Sequence, residues 1–366
     1  MNEDALDNAL AQLRGTTAEV AGGGAPNHGP MAAEALAALG FGAVAPSWTR
    51  GYRPRLGLLP AATTPVTAST WREALGDESL VASWAAFFGG LLARASWQDV
   101  LEAWLPRLVP AISSGGGHGM VRVAHAVRAL GATATAPRIE ELGAALAYWC
   151  AYCREFARMP ELAGDLDVGT ALARVPRLMR GSQRRGMPRK FLYEVSGNAQ
   201  LLDALDRLAP HHSVASALGA LTEAGARQYL ANRSRHPLIF VHAVTVPAAL
   251  RLLLPHMSEE SGRTAFAYTW QFVAALTATY GEDSDEWDDG APSDQPLAWR
   301  SVIDFCVETG DAHSIKLVEA CSREFRLNPS PAYPAAAMDW STRFRAARSW
   351  NHAQRRAAGI AMGSDE

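Results

Sequence analysis

What most limits the folds open to this chain is the near absence of strand-type alternation. Its long segments are built from Ala, Leu, Arg and Glu, which favour helix, and runs in which Val, Ile and Thr alternate with polar residues are scarce. The expectation is an all-α protein, a single large multi-helix domain with its site between helices. Helices are expected over about 31–39, 78–94, 97–109, 118–130, 138–157, 199–208, 213–232, 237–254, 259–280, 296–309 and 313–325. Gly29-Pro30 starts the first and Gly40 caps it, and a Pro- and Gly-rich loop carrying Trp48, Tyr52 and Pro54 follows. No shift in composition marks a linker, so the domain is expected over 1–345. Residues 346–366 read as a C-terminal extension, frayed over Gly363 to Glu366.

With 366 residues, 48% hydrophobic and 19% charged, the chain can bury a sizeable core. A formal charge of -3 gives no electrostatic case for nucleic acid. The start, Met1 to Asp7, is acidic where an export signal would be basic. The longest apolar stretches are broken by Arg, His or Pro before the roughly 20 residues a bilayer requires. A soluble cytoplasmic protein without membrane contact is therefore expected. Four cysteines make no disulfide framework, and the Cys150-x-x-Cys153 pair lies in an apolar helical run without a second pair, so it reads as chance. The basic run from Arg174 to Lys190 is expected as a solvated face or lid, and the acidic segment Glu282 to Asp294 as an exposed loop.

Within this helical pattern, His28, His118, His125, His242 and His313 fall at the starts or in the cores of apolar segments. Widely separated imidazoles in apolar helices mark a metal or proton-handling centre, whereas a single one is more often a bonded core residue. His28-Gly29-Pro30-Met31 and His118-Gly119-Met120 echo each other, each preceded by a glycine run, as two helices entering one site would. Near a helix start the dipole disfavours imidazolium, leaving the neutral form that binds metal or accepts a proton. His125 lies two turns after His118 on the same face, as a member or support of the site. His242 falls in the second turn after Pro237, with Thr245 on its face, whereas His256 lies roughly 21 Å further along and cannot share its metal. Lys316 shares a face with His313. An ammonium there would repel a metal, so Lys316 is expected to lie outside the ligand set, to be deprotonated, or to be carbamylated, which would turn it into an anionic oxygen ligand.

Together, Asn27-His28-Gly29-Pro30-Met31, His118-Gly119-Met120 with His125, His236-Pro237 with His242, and His313-Ser314-Ile315-Lys316 with Glu319-Ala320 resemble the questin oxidase-like family over about residues 27 to 330. Fungal members open the ring of anthraquinone-type polyketides by Baeyer-Villiger-like or dioxygenase chemistry. The resemblance implies an α-helical oxygenase of polyketide, secondary metabolism in which His28, His118, His242 and His313, with Lys316, hold non-haem iron as Fe(II). His125 departs from the fungal pattern. The implied partners are a small aromatic substrate and O2, and a homo-oligomer is compatible with the sequence. His125, Thr245 and Lys316 are the candidate catalytic residues.

Neither Gly22 to Gly24 nor Gly115 to Gly117 follows an expected strand or completes GxGxxG, so no FAD or NAD(P) site is visible. No GxSxG elbow or adjacent His-Asp pair points to a hydrolase. Three readings stand: an iron oxygenase of a phenol or quinone, a metal-free oxygenase with a histidine base, and a non-catalytic helical binding protein with structural histidines. Trp84, Phe87, Phe88, Trp104 and Phe240 are candidates to line a pocket, although aromatics at helical spacing also build cores.

Overall fold

Helix-favouring segments become helices almost throughout the computed structural model, which describes residues 2–22, 24–179, 188–282 and 298–343. In chain order these are α1 (Asn2–Leu13), α2 (Gly29–Ala38), α3 (Ala45–Tyr52), α4 (Trp71–Ala74), α5 (Val81–Leu92), α6 (Trp97–Leu108), α7 (His118–Ala132) and α8 (Ala136–Ala151). They are followed by α9 (Val168–Ala173), α10 (Pro188–Ser196), α11 (Ala199–Asp206), α12 (Val214–Asn232), α13 (Pro237–Leu253), α14 (Glu259–Tyr280), α15 (Trp299–Glu308) and α16 (Ala312–Leu327). A last helix, α17, covers 332–343. Among the described residues the fold is all-α apart from a two-stranded antiparallel ribbon, Thr16–Val20 against Leu56–Leu58.

Departures from the sequence expectation have local causes. The stretch expected as a loop after Gly40 contains α3, because Pro46 sits in the first turn, where its missing N–H costs nothing. Helices α1, α4, α9, α10 and α17 were not expected, and α10 occupies the end of the basic run. The central part of that run, the acidic segment beyond Glu282 and the extension 346–366 lie outside the described residues.

Four helices close a ring. Helix α2 packs against α7 and α16, and α13 packs against the same two, so the order around the ring is α2, α7, α13 and α16. Helices α8 and α12 back it, against α7 and α13 respectively. Helix α13 with its following turn, Pro237–His256, is longer and more apolar than the sequence reading allowed, enough by length and composition to cross a membrane. In the fold it is a mostly buried core element, and Arg251 near its end is paired with Glu324 of α16.

The aromatic candidates build core, and Phe87, half-buried against it, also lines a cavity of about 520 Å³. Trp84, Phe87, Phe88 and Trp104 pack edge-to-face and stacked, with centroids 4.9 to 5.8 Å apart, and Trp71 joins them at 5.1 Å from Trp104. The indole N–H of Trp84 donates to the Ala74 carbonyl. Their geometry is that of mutual packing, and Phe240 is wholly buried.

Candidate metal centre

Each helix of the ring delivers one histidine at or close to its start. His28 is the residue before α2, His118 opens α7, His242 is in the second turn of α13 and His313 follows the Asp311 cap of α16. The local sequence sets these positions. Pro30 and Pro237 occupy first turns, Asp311 accepts from the Ser314 amide, and three successive left-handed glycines, Gly115 to Gly117, swing the chain into α7.

The rings converge. His28 Nε2 lies 2.9 Å from His118 Nε2, and His242 Nε2 lies 3.2 Å from that same atom. Ring centroids are 4.5 Å apart for His28 and His313 and 5.9 Å apart for His242 and His313. One nitrogen from each of His28, His118 and His313 falls within a common span of 4.8 Å, and His242 adjoins this trio through His118.

The outer ring nitrogens fix the tautomers. His118 Nδ1 donates to the Gly115 carbonyl at 2.8 Å, and His242 Nδ1 donates to the carbonyls of Leu238 and Ile239 at 3.0 and 3.3 Å. A carbonyl can only accept, so both protons are on Nδ1 and both Nε2 lone pairs face each other. Two lone pairs 3.2 Å apart repel unless a cation lies between or beside them. Separations near 3 Å are those of neighbouring nitrogen donors on an ion with bonds of about 2.0–2.1 Å. Backbone carbonyls thus play the orienting part usual around metal-bound histidine.

All four imidazoles are held neutral. The proton affinity of His28, His118 and His313 falls well below the usual histidine value, and that of His242 falls to about 4. Burial is the largest cause in each case. The Lys316 charge follows directly for His28, His242 and His313; for His118, His242 precedes Lys316. Neutrality was expected from helix dipoles, but desolvation is the stronger cause here. Lys316 is itself pushed down to about 7 by burial, against a smaller opposing effect of Asp311.

His125 does not join the cluster. Its Nδ1 donates to Glu34 at 2.6 Å, and both line a cavity of about 10 Å³, room for a single water. Glu34 also takes Arg128 at 2.5 Å, and Arg128 reaches on to Glu319, which bonds Arg323. Burial alone would raise the Glu34 carboxyl, but Arg128 and His125 outweigh it and hold it below its usual value. This chain ties α2, α7 and α16 together behind the histidines. Sequence reading missed Glu34 and Arg128, although Glu34 is the one charged residue in the apolar run Met31 to Leu39.

Thr245 lies buried on α13, but its hydroxyl donates back to the Val241 carbonyl. Trp340 of α17 was also missed: its indole N–H donates to Asp311 at 2.9 Å and its ring sits 5.6 Å from His313. Cys150 and Cys153 are buried free thiols whose proton affinity burial raises, Cys153 to about 12, as suits inert packing residues.

Comparison of the chain with family models, with curated proteins and with solved structures returned no match.

Proposed function

We propose that this protein is a metal-dependent oxygenase acting on a small planar aromatic substrate of the phenol or quinone type found among polyketides, with O2 as co-substrate. The observation that carries the reading is the pair of Nε2 lone pairs of His118 and His242, turned toward each other by backbone carbonyls, with His28 and His313 alongside. His28, His118, His242 and His313 would hold the ion. Fe(II) is the choice that agrees with the resemblance to the questin oxidase-like family; imidazole also suits other first-row metals. When bound, iron would supply an O2-binding position and stabilise the developing oxygen anion.

The protein's own part is positional. Burial keeps four imidazoles neutral, the carbonyls of Gly115, Leu238 and Ile239 fix two tautomers, and the Glu34–Arg128–Glu319 bridge braces the helices against one another. The convergence of four helix starts favours an anionic substrate such as a phenolate.

The test is metal analysis of protein purified without a metal-affinity tag, combined with O2 uptake on a panel of phenols and quinones. About one equivalent of iron, with uptake lost on chelation and restored by Fe(II), is the expected result. Uptake that survives a strong chelator, with less than about a tenth of an equivalent of metal, would replace this reading with one in which a neutral histidine acts as base on the phenol. Metal-free protein that binds aromatics without consuming O2 would make it a binding protein.

A further inference from the structure

Away from the histidines, the segment that follows α8 and the first turns of α14 enclose a second cavity, of about 460 Å³, within the size range of small-molecule clefts. None of its described lining residues lies on α2, α7, α13 or α16. One wall is fixed in advance. Arg158 pairs with Asp206 at the end of α11, and the Glu161 amide donates to the same carboxylate at 2.8 Å. The Gly164 and Leu166 amides donate to the Leu208 and Arg207 carbonyls at 3.1 Å. Between these ties Leu162 has φ +48°, a left-handed conformation that a residue with a Cβ keeps only where its surroundings impose it. Met159, Leu162, Pro210, Val214 and Phe266 make the walls mostly apolar.

Two polar groups on this cavity lack partners. His211 stands edge to face on the buried Phe266, with ring centroids 5.5 Å apart at 86°, and its Nε2 is closed off from solvent without a hydrogen bond. A proton on Nε2 would be a buried orphan donor, so the neutral ring carries its proton on Nδ1. Burial, with His212 adding to it, disfavours a second proton. Nδ1 is not closed off and makes no hydrogen bond among the described residues, which leaves it a free donor. Thr264 is the second such group. The buried Thr269, Thr277 and Thr279 of α14 turn their hydroxyls back to carbonyls of their own helix, whereas the Thr264 hydroxyl has no partner among the described residues. Glu161, Glu260 and Arg263 border the cavity, and Arg263 already pairs with Glu259, so an anion would find no spare positive charge. We propose that this cavity binds a neutral aromatic carbonyl compound, an aryl ketone or a quinone, with its rings among the apolar walls and its oxygens accepting from His211 Nδ1 and the Thr264 hydroxyl. The site does not rest on the metal-centre reading.

The experiment uses the full chain with fluorenone as the probe, compared with fluorene, which lacks the carbonyl, and fluorene carboxylate, which is anionic. Affinity is read by equilibrium dialysis. The contact is read by proton–nitrogen correlation NMR of protein labelled with 15N-histidine, the His211 signals being those missing from His211→Leu. The free protein should show His211 as the Nδ1–H tautomer, and fluorenone should shift its nitrogens. Fluorenone should bind about tenfold more tightly than fluorene, about tenfold less tightly to His211→Leu, about threefold less tightly to Thr264→Val and equally well to His118→Ala. Circular dichroism checks the fold of each variant, and Thr264→Val with the wild-type NMR shift carries the test if His211→Leu does not fold. Failure of fluorenone to bind, equal affinity for fluorene, tighter binding of the carboxylate or an Nε2–H tautomer would overturn the proposal. So would unchanged affinity in His211→Leu and Thr264→Val, and binding lost in His118→Ala would move the ligand to the histidine centre and overturn it too.

Discussion

Gly117→Ala tests whether the turn into α7 sets the spacing of His118 and His242. Gly117 has φ +89°, a left-handed conformation that costs a residue with a Cβ about 1–2 kcal/mol. An added Cβ would also stand 2.5 Å from Val246 Cγ2 and 3.3 Å from Phe272 Cζ. Val246 is one turn beyond His242 on the same face of α13, so relief of this clash pushes α13 off α7. Overpacking of this kind costs about 1–3 kcal/mol. The lower entropy of the unfolded alanine chain returns about 0.4–1 kcal/mol, leaving a net loss of about 3 kcal/mol. Gly40→Ala is the matched control: φ is +86° and nothing lies within 4 Å of the added Cβ, so strain acts alone, for a loss of about 1 kcal/mol. Urea unfolding of both variants should separate them by about 2 kcal/mol, the packing part. Zn(II) or Fe(II) affinity should fall about tenfold or more for Gly117→Ala alone. Equal stability losses, or unchanged metal affinity in Gly117→Ala, would refute the argument that this contact sets the histidine spacing.

Arg128→Met leaves Glu34 and Glu319 buried without their shared cation and should cost about 3–5 kcal/mol in urea unfolding; adding Glu34→Gln and Glu319→Gln should recover most of it. A loss below about 1 kcal/mol for the single variant would show the bridge to be idle. Thr245→Val removes only a hydroxyl bonded within its own helix, so it should cost about 1 kcal/mol and leave metal content unchanged, whereas His118→Ala should abolish bound metal with the fold retained by circular dichroism. Metal-free protein should lose stability in acid. The imidazoles are neutral in the fold, and the unfolded chain takes up their protons below about pH 6.5. Their contribution is therefore complete above that pH and is lost as pH falls toward the folded value of about 4 for His242. The slope is about 1.4 kcal/mol per pH unit per histidine. A urea midpoint that stays flat from pH 7.5 to 5 would contradict it.

The helices and their histidines were legible because each candidate announces itself locally. His28 precedes Gly29-Pro30, His118 follows three glycines, His242 follows Pro237 by a turn and a half, and His313 follows a capping Asp311. Local signals mark helix starts, and all four residues are near one. The closure of α2, α7, α13 and α16 into a ring leaves no such trace, since it is decided by which apolar faces pack together. The Arg128 bridge escaped for the same reason: it joins Glu34 and Glu319, which lie 94 and 191 residues away in sequence. The aromatic candidates show the opposite error. Their spacing was visible, but for Trp84, Phe88 and Trp104 it serves packing around Trp71 and Trp104, and Phe87 of this cluster also lines a cavity. Helix α3 was hidden by proline and glycine, which vote for loops unless the proline falls in a first turn.

The histidines that meet within 3.2 Å are separated by 90 and 124 residues of chain. An unfolded chain therefore offers a metal no local cluster, unlike a zinc finger, whose ligands sit a few residues apart and nucleate folding. Closing such long loops comes late and at an entropic cost that must be met by helix packing first. Metal uptake should then follow folding rather than guide it. Loading becomes a chaperone-like question of when an ion can still reach a nearly finished interior, and no excised fragment of the chain should hold the ion at all.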